Sequence, residues 1–195
     1  MNYEVKNIDL DGEVIDIGGG KKDYYYKIFK SNKANISSVD ICLSDDNKNK
    51  INLECDRLPF SDSYFDSALM FNVLEHIYNY NFLISETKRV LKNGGKIIGF
   101  VPFLVNYHPD PNDYFRYTKE SLKKIFQENG FKLLEIKEVG LGPLSVNFNN
   151  LFLYLPVFLR VILFSLSYPF FISSIFLRPI FKERYPLGYF FIFKK

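Results

Sequence analysis

The feature that most limits what this chain can fold into is a run of three glycines closing a short apolar segment, Glu13-Val14-Ile15-Asp16-Ile17-Gly18-Gly19-Gly20. Val14, Ile15 and Ile17 make residues 13–17 a strand candidate. The glycines let the main chain turn and come close to a ligand. Residues 24–30 follow as a short helix candidate, and a helix start beyond such a turn favours an anionic or polar group. A dinucleotide-binding loop would place a third glycine at the sixth position of G-x-G-x-x-G. Asp23 stands there, which excludes the dehydrogenase fingerprint. On the glycines alone, a plain strand-to-turn cluster is an equal reading.

Beyond this loop, apolar runs alternate with segments of helical spacing. Residues 36–41, 51–55, 65–72, 96–102 and 131–139 read as further strands. Residues 81–91 and 118–127 read as helices, the second with Thr118 as N-cap and Gly130 as its stop. Asn93-Gly94-Gly95 reads as a turn. Strands alternating with helices point to an α/β fold with a doubly wound, mainly parallel sheet. At 195 residues the chain is expected to be one domain over residues 1–195.

Asp40 closes the second strand, 22 residues after Gly18. A carboxylate in that position of an open α/β sheet accepts hydrogen bonds from ribose hydroxyls and repels a 2′-phosphate. An ordinary strand-end carboxylate is the alternative.

The pattern becomes specific over residues 56–95. Asp56-Arg57-Leu58-Pro59-Phe60, Phe65-Asp66, Val73-Leu74-Glu75-His76-Ile77 and Arg89-Val90-Leu91-Lys92-Asn93-Gly94-Gly95 occur in that order. Together with the glycine loop, this set closely resembles the class I S-adenosylmethionine-dependent methyltransferases, type 11 family, over roughly residues 12–139. The resemblance implies a Rossmann-like seven-stranded sheet in the order 3-2-1-4-5-7-6, with residues 188–194 as the seventh strand. It implies S-adenosyl-L-methionine as cofactor. The segment matching Asp16, Gly18, Gly19 and Gly20 would carry its methionine part, and Asp40 with Ile41 its ribose. Asp56, Arg57 and Leu58 would flank the adenine, and Asn72 would lie beside the sulfonium. The family usually has another glycine where Lys22 stands.

The chain has two histidines, His76 and His108. His108 opens Tyr107-His108-Pro109-Asp110-Pro111-Asn112-Asp113-Tyr114-Phe115-Arg116-Tyr117, a loop following the fifth strand, where ligands bind in open α/β folds. This loop resembles that of bacterial methyltransferases of surface-glycan biosynthesis. The expected roles are acceptor binding by His76, Asp113, Tyr114 and Arg116, with His108 as catalytic base. The structural alternative pairs Arg116 with Asp113 and packs Tyr114 on the sheet. No metal site is expected.

Residues 148–184 break the α/β pattern as an apolar helical insert before the last strand. Residues 151–159 and 161–177 carry no charge, with Arg160 between them and Pro156 and Pro169 inside them. Residues 151–195 hold six Lys/Arg against Glu183 alone, a net of +5 within a chain of net +3. So small a total gives no reason to expect nucleic acid. Because residues 188–194 must rejoin the sheet, the insert is expected to dip into or lie on a membrane surface rather than span it. A protein interface and a true span are the alternatives. Cys42 and Cys55 form no disulfide framework, and the polar N-terminus lacks a signal-peptide pattern, so a cytoplasmic location at the inner face of the cell membrane is expected.

The expected function is methyl transfer from S-adenosylmethionine to a small-molecule or lipid-linked acceptor, such as a sugar of a glycan intermediate. The rival is a non-catalytic, degenerate methyltransferase domain that binds cofactor or a partner at the membrane. The sequence gives no oligomeric state.

Overall fold

The computed structural model describes residues 2–20, 24–40, 49–152, 154–177 and 180–195. Strands β1 (Asp9–Leu10) and β3 (Ser31–Asn32) form a small parallel pair beside the main sheet. The main sheet uses β2 (Glu13–Ile17), β4 (Asn35–Val39), β5 (Phe65–Phe71), β6 (Leu91–Pro102), β7 (Lys132–Val139) and β8 (Gly188–Lys194). Among the described residues it has six strands in the order β4-β2-β5-β6-β8-β7. The first four are parallel, and β8 is antiparallel to both β6 and β7. This is the Rossmann-like α/β fold of the methyltransferases.

One expected strand is missing. Residues 51–55 form no ladder, and the only trace of edge pairing there is a single bridge between Asp40 and Lys50. Polar side chains bend this segment into turns instead. Asp56 Oδ2 accepts from the Asn52 backbone N–H at 2.7 Å, and Asn52 Oδ1 accepts from Glu54 N–H at 3.0 Å. Such local side-chain-to-backbone bonds compete directly with a strand. Asn93-Gly94-Gly95 also differs from expectation: it is a bulge inside β6, not a turn before it. Phe65 pairs with Leu91 and Ser67 with Lys96, so the intervening residues bow out of register.

Alternation along the strands separates two cores. Ile15, Ile17, Met70, Ile97, Phe191 and Phe193 pack on one face against α2 (Tyr80–Val90) and α3 (Lys119–Glu128), through Leu83, Ile84, Leu122 and Phe126. Val14, Leu69, Ile98 and Phe190 face the other way, onto Leu10, Phe29 and Val5 of α1 (Asn2–Val5). Thr118 caps α3 as its sequence predicts, its side chain accepting from Ser121 N–H.

Between β7 and β8 the chain builds α4 (Pro143–Phe152), α5 (Val157–Leu177) and α6 (Ile180–Arg184). Phe148 of α4 meets Phe164 and Phe171 of α5, with ring centres 5.7 and 5.8 Å away. The opposite side of α5 has no cover: Phe158, Leu166 and Phe170 are each about two-thirds exposed, at 65%, 67% and 69%. Among the described residues, no helix is long and apolar enough to cross a membrane. The insert leaves the sheet at Val139 and returns at Gly188, two residues that pair with each other.

Candidate active site

The site sits at the carboxyl ends of the parallel strands. Gly18 follows β2 with φ of 73°, and a Cβ on it would lie 2.6 Å from Val73 Cγ2. A Cβ on Gly19 would overlap the Asp16 carboxylate. Asp16 itself is buried beneath the loop and accepts hydrogen bonds from the Tyr25 and Tyr26 hydroxyls. Burial pushes its carboxyl up to about 6, against the lowering effect of those two hydroxyls. Asp16 therefore braces the loop from below.

Above the loop lies a cleft of about 360 Å³. Gly18, Asp40, Asn52, Leu53, Glu54, Asn72, Val73, His76 and Ile77 line it, with Asp110, Pro111 and Asn112 at the rim. Asp40 closes β4, nine-tenths buried. Asn72 leaves β5 with φ of 54°, its backbone N–H bound to Phe100 O at 2.9 Å.

The adenine-flanking trio is placed differently from expectation. Asp56, Arg57 and Leu58 do not line the cleft. Asp56 closes the turn at Asn52, and Arg57 points to solvent near Asp62. Leu58 is buried, with its main chain held by Glu86 and Arg89. Asn52, Leu53 and Glu54 occupy the wall instead. The resemblance pointed to Asp56–Leu58, and nothing in residues 51–55 marked these three in the sequence. Ile41 and Lys22 lie outside the described residues.

A second cleft of about 470 Å³ opens on the other side of Asn72. Asn72, His76, Phe100, Pro102, Val105, Asn106, His108, Pro109, Asp110 and Asn149 line it. Asn72, His76 and Asp110 thus belong to both clefts. A third, mostly apolar cleft of about 540 Å³ lies between α4 and α5 and shares Asn149 with the second.

The loop bearing His108 is held from within. Arg116 makes a two-pronged ion pair with Asp113, which also accepts from the His108 backbone N–H at 2.9 Å. The Arg116 guanidinium holds the Asp113 carboxyl well below the usual carboxylate range. Asp113 and Arg116 therefore satisfy each other rather than facing a cleft. Tyr114 is likewise outside both clefts, packed edge-on against Tyr78 at 5.4 Å. Its backbone N–H and that of Phe115 bind Glu75 O, tying the loop to the single helical turn Leu74–His76.

Glu75 had no expected role beyond its place in the Val73-Leu74-Glu75-His76-Ile77 motif. It is fully buried, and neither carboxylate oxygen has a hydrogen-bond partner. Burial pushes its carboxyl up to about 8. His76 Nε2 and His108 Nε2 stand 3.7 and 3.8 Å from its Oε1. The two imidazoles meet edge-to-face, 5.3 Å apart.

Comparison with known proteins bears on this geometry directly. Residues 15–99, which carry the glycine loop, Asp40, Asn72, Glu75 and His76, match the family described as a methyltransferase domain. The stretch that forms the first cleft is thus similar to a methyltransferase domain. An uncharacterized protein of Methanocaldococcus jannaschii is 34% identical over 122 residues, 60% of this chain and 45% of that one. The ubiquinone/menaquinone biosynthesis C-methyltransferase UbiE of Geobacter is 29% identical over 114 residues, 49% of this chain and 48% of that one. The chain spans less than half the length of either relative. The fold of the methyltransferase domain is shared with an S-adenosylmethionine-dependent methyltransferase from Mesorhizobium loti. That likeness has a TM-score of 0.56 at 12% identity and covers 94% of this chain and 90% of that one.

Proposed function

We propose that the protein transfers the methyl group of S-adenosylmethionine to an acceptor bound beside His108. The observation that carries this reading is the pair of clefts sharing Asn72, His76 and Asp110. A donor in one and an acceptor in the other would meet there, and proximity is most of what methyl transfer from a sulfonium requires. The first cleft fits the cofactor in size and chemistry. Gly18 lines it at a position where a Cβ would collide with Val73, and Asp40 offers a carboxylate at the strand end. When bound, the cofactor supplies an already activated methyl group.

In this reading Asp40 accepts hydrogen bonds from the ribose hydroxyls, and Gly18 to Gly20 hold the methionine portion. Leu53 and Ile77 give the adenine apolar contact. Asn72 marks the reacting centre. His108, which lines the second cleft, is the group placed to activate the acceptor nucleophile. Asp113 and Arg116 position His108 through its backbone.

The apolar cleft between α4 and α5 supports an acceptor with an apolar tail. Val157, Val161 and Phe164 line it, and Asn149 joins it to the cleft at His108. The uncovered side of α5 and the net +5 of residues 151–195 support work at an anionic membrane surface. A lipid-linked intermediate, such as a glycan sugar on a lipid carrier, fits both features. Residues 1–195 then act as one catalytic unit at the cytoplasmic face, with 148–184 as its membrane-facing insert.

Radiolabelled methyl transfer from S-adenosylmethionine into lipid extract presented in anionic vesicles tests the proposal. Label is expected in an organic-soluble product, and less of it when vesicles are neutral or salt is raised. Transfer only into water-soluble acceptors, independent of vesicles, would overturn the lipid-linked part. No transfer by a protein that binds S-adenosylhomocysteine would favour the non-catalytic rival.

A further inference from the structure

Glu75, His76 and His108 converge in a way that hydrogen bonding leaves incomplete. His76 Nδ1 lies 2.5 Å from Asn112 O, and His108 Nδ1 lies 2.9 Å from Asn106 O. A carbonyl can only accept, so these contacts assign the proton to each Nδ1; at His108 the competing contact, from Arg116 Nη2, is longer at 3.4 Å. Each neutral ring then presents a bare Nε2 lone pair. Both lone pairs stand near Glu75 Oε1, at 3.7 and 3.8 Å, beyond hydrogen-bond reach. Glu75 is fully buried, and both its oxygens lack a donor. Three electron-rich groups thus surround one point, with their ligand atoms within 4.8 Å of one another. The nearby Arg116 guanidinium is committed to Asp113.

We propose that Glu75 and the two Nε2 atoms bind a divalent cation of the zinc, iron or cobalt type at the mouth of the acceptor cleft. Two imidazoles and a carboxylate are the mixed nitrogen–oxygen set these ions prefer. The backbone carbonyls fixing both Nδ1–H groups are the outer contacts that orient metal-binding histidines. Metal–ligand distances near 2.0–2.1 Å put tetrahedral ligand atoms about 3.3 Å apart, so the trio, within 4.8 Å, has to close by a few tenths of an ångström to about 1.5 Å. Sequence spacing hid the site, because His108 lies 32 residues beyond His76.

Three protein ligands leave a position open, and it faces the cleft that His76 and His108 line. The ligand that fits there is a hydroxyl of the acceptor. Bound to the cation, that hydroxyl loses its proton to solvent at a lowered pKa. Its oxygen then forms the bond to the methyl carbon as the carbon–sulfur bond breaks, and the electron pair stays on sulfur. This chemistry rests on the methyl-transfer reading, with His108 activating the acceptor by coordination; binding of the cation does not.

The test uses full-length, tag-free protein stripped with chelator and titrated with Co²⁺ alone, followed by Zn²⁺ competition. Visible absorption bands of a four- or five-coordinate ion should appear at one Co²⁺ per chain and vanish with Zn²⁺. Glu75→Gln and His108→Asn should each weaken Co²⁺ binding at least tenfold, with S-adenosylhomocysteine affinity held within twofold. No stoichiometric Co²⁺ uptake, or uptake unchanged by both variants, would overturn the site. If Glu75→Gln fails to fold, as judged by circular dichroism, the loop variant His108→Asn decides alone. S-adenosylhomocysteine calorimetry on the same sample separates the two readings. Cofactor binding without Co²⁺ sinks the cation and leaves methyl transfer standing; Co²⁺ without cofactor binding does the reverse.

Discussion

Gly19 and Asp16 fit so closely that a methyl group on residue 19 would overlap Oδ2 of Asp16. The strand-end carboxylate and the loop above it are one built unit, with Tyr25 and Tyr26 closing its underside. Gly19→Ala must therefore push the loop into the cleft or the carboxylate out of its place. S-adenosylhomocysteine affinity should fall at least tenfold, and the protein should melt several degrees lower. Calorimetry and a thermal scan that both return wild-type values would show the loop has slack.

The same carboxylate sets a pH dependence. Burial raises Asp16 from 3.8 to about 6 in the folded protein. The folded state thus holds this proton more tightly than the unfolded chain does. The stability linked to it is fully present below about pH 4 and is lost as pH rises through 6. The loss amounts to about 3 kcal/mol, to order of magnitude. Asp16→Asn keeps the shape and cannot ionise. Urea unfolding from pH 4 to pH 7 should show the wild type losing stability relative to the variant over that window. Parallel curves would mean Asp16 ionises freely in the native state.

Arg116 and Asp113 form the brace of the His108 loop. The Asp113 side chain is 1% exposed, so removing its partner strands a buried carboxylate. Arg116→Ala should loosen the loop, since Asp113 loses both prongs of its ion pair and keeps only the His108 N–H. Turnover should drop while S-adenosylhomocysteine affinity stays within about twofold, because neither residue lines the donor cleft. Equal losses in turnover and cofactor affinity would show that the loop serves the donor.

Much of this architecture is legible in the chain. The apolar runs of β2, β5 and β8, the Thr118 cap, and the return of residues 188–194 to the sheet follow from local patterns and one topological requirement. The edge at 51–55 was misread because its apolar residues, Ile51 and Leu53, match a strand while Asn52 and Asp56 spend their side chains on turns. The resemblance pointed to Asp56–Leu58, whereas Asn52, Leu53 and Glu54 line the cleft. Asp40, Gly18 and Asn72 were legible because strand ends before turns are recognisable in one dimension. Glu75 was not. Its burial depends on the 103–117 loop folding over the Leu74–His76 turn, a contact no periodicity reports.

The central claim is that the cleft between Gly18, Asp40 and Asn72 is the donor site of a methyltransferase. Titration calorimetry with S-adenosylhomocysteine, comparing wild type with Asp40→Ala, tests it most directly. Hydrogen bonds to a charged acceptor contribute about 1.5–3 kcal/mol each. The account predicts one molecule bound per chain and at least a tenfold loss of affinity in the variant. Wild-type affinity in a folded Asp40→Ala protein, or no binding by the wild type, would contradict it.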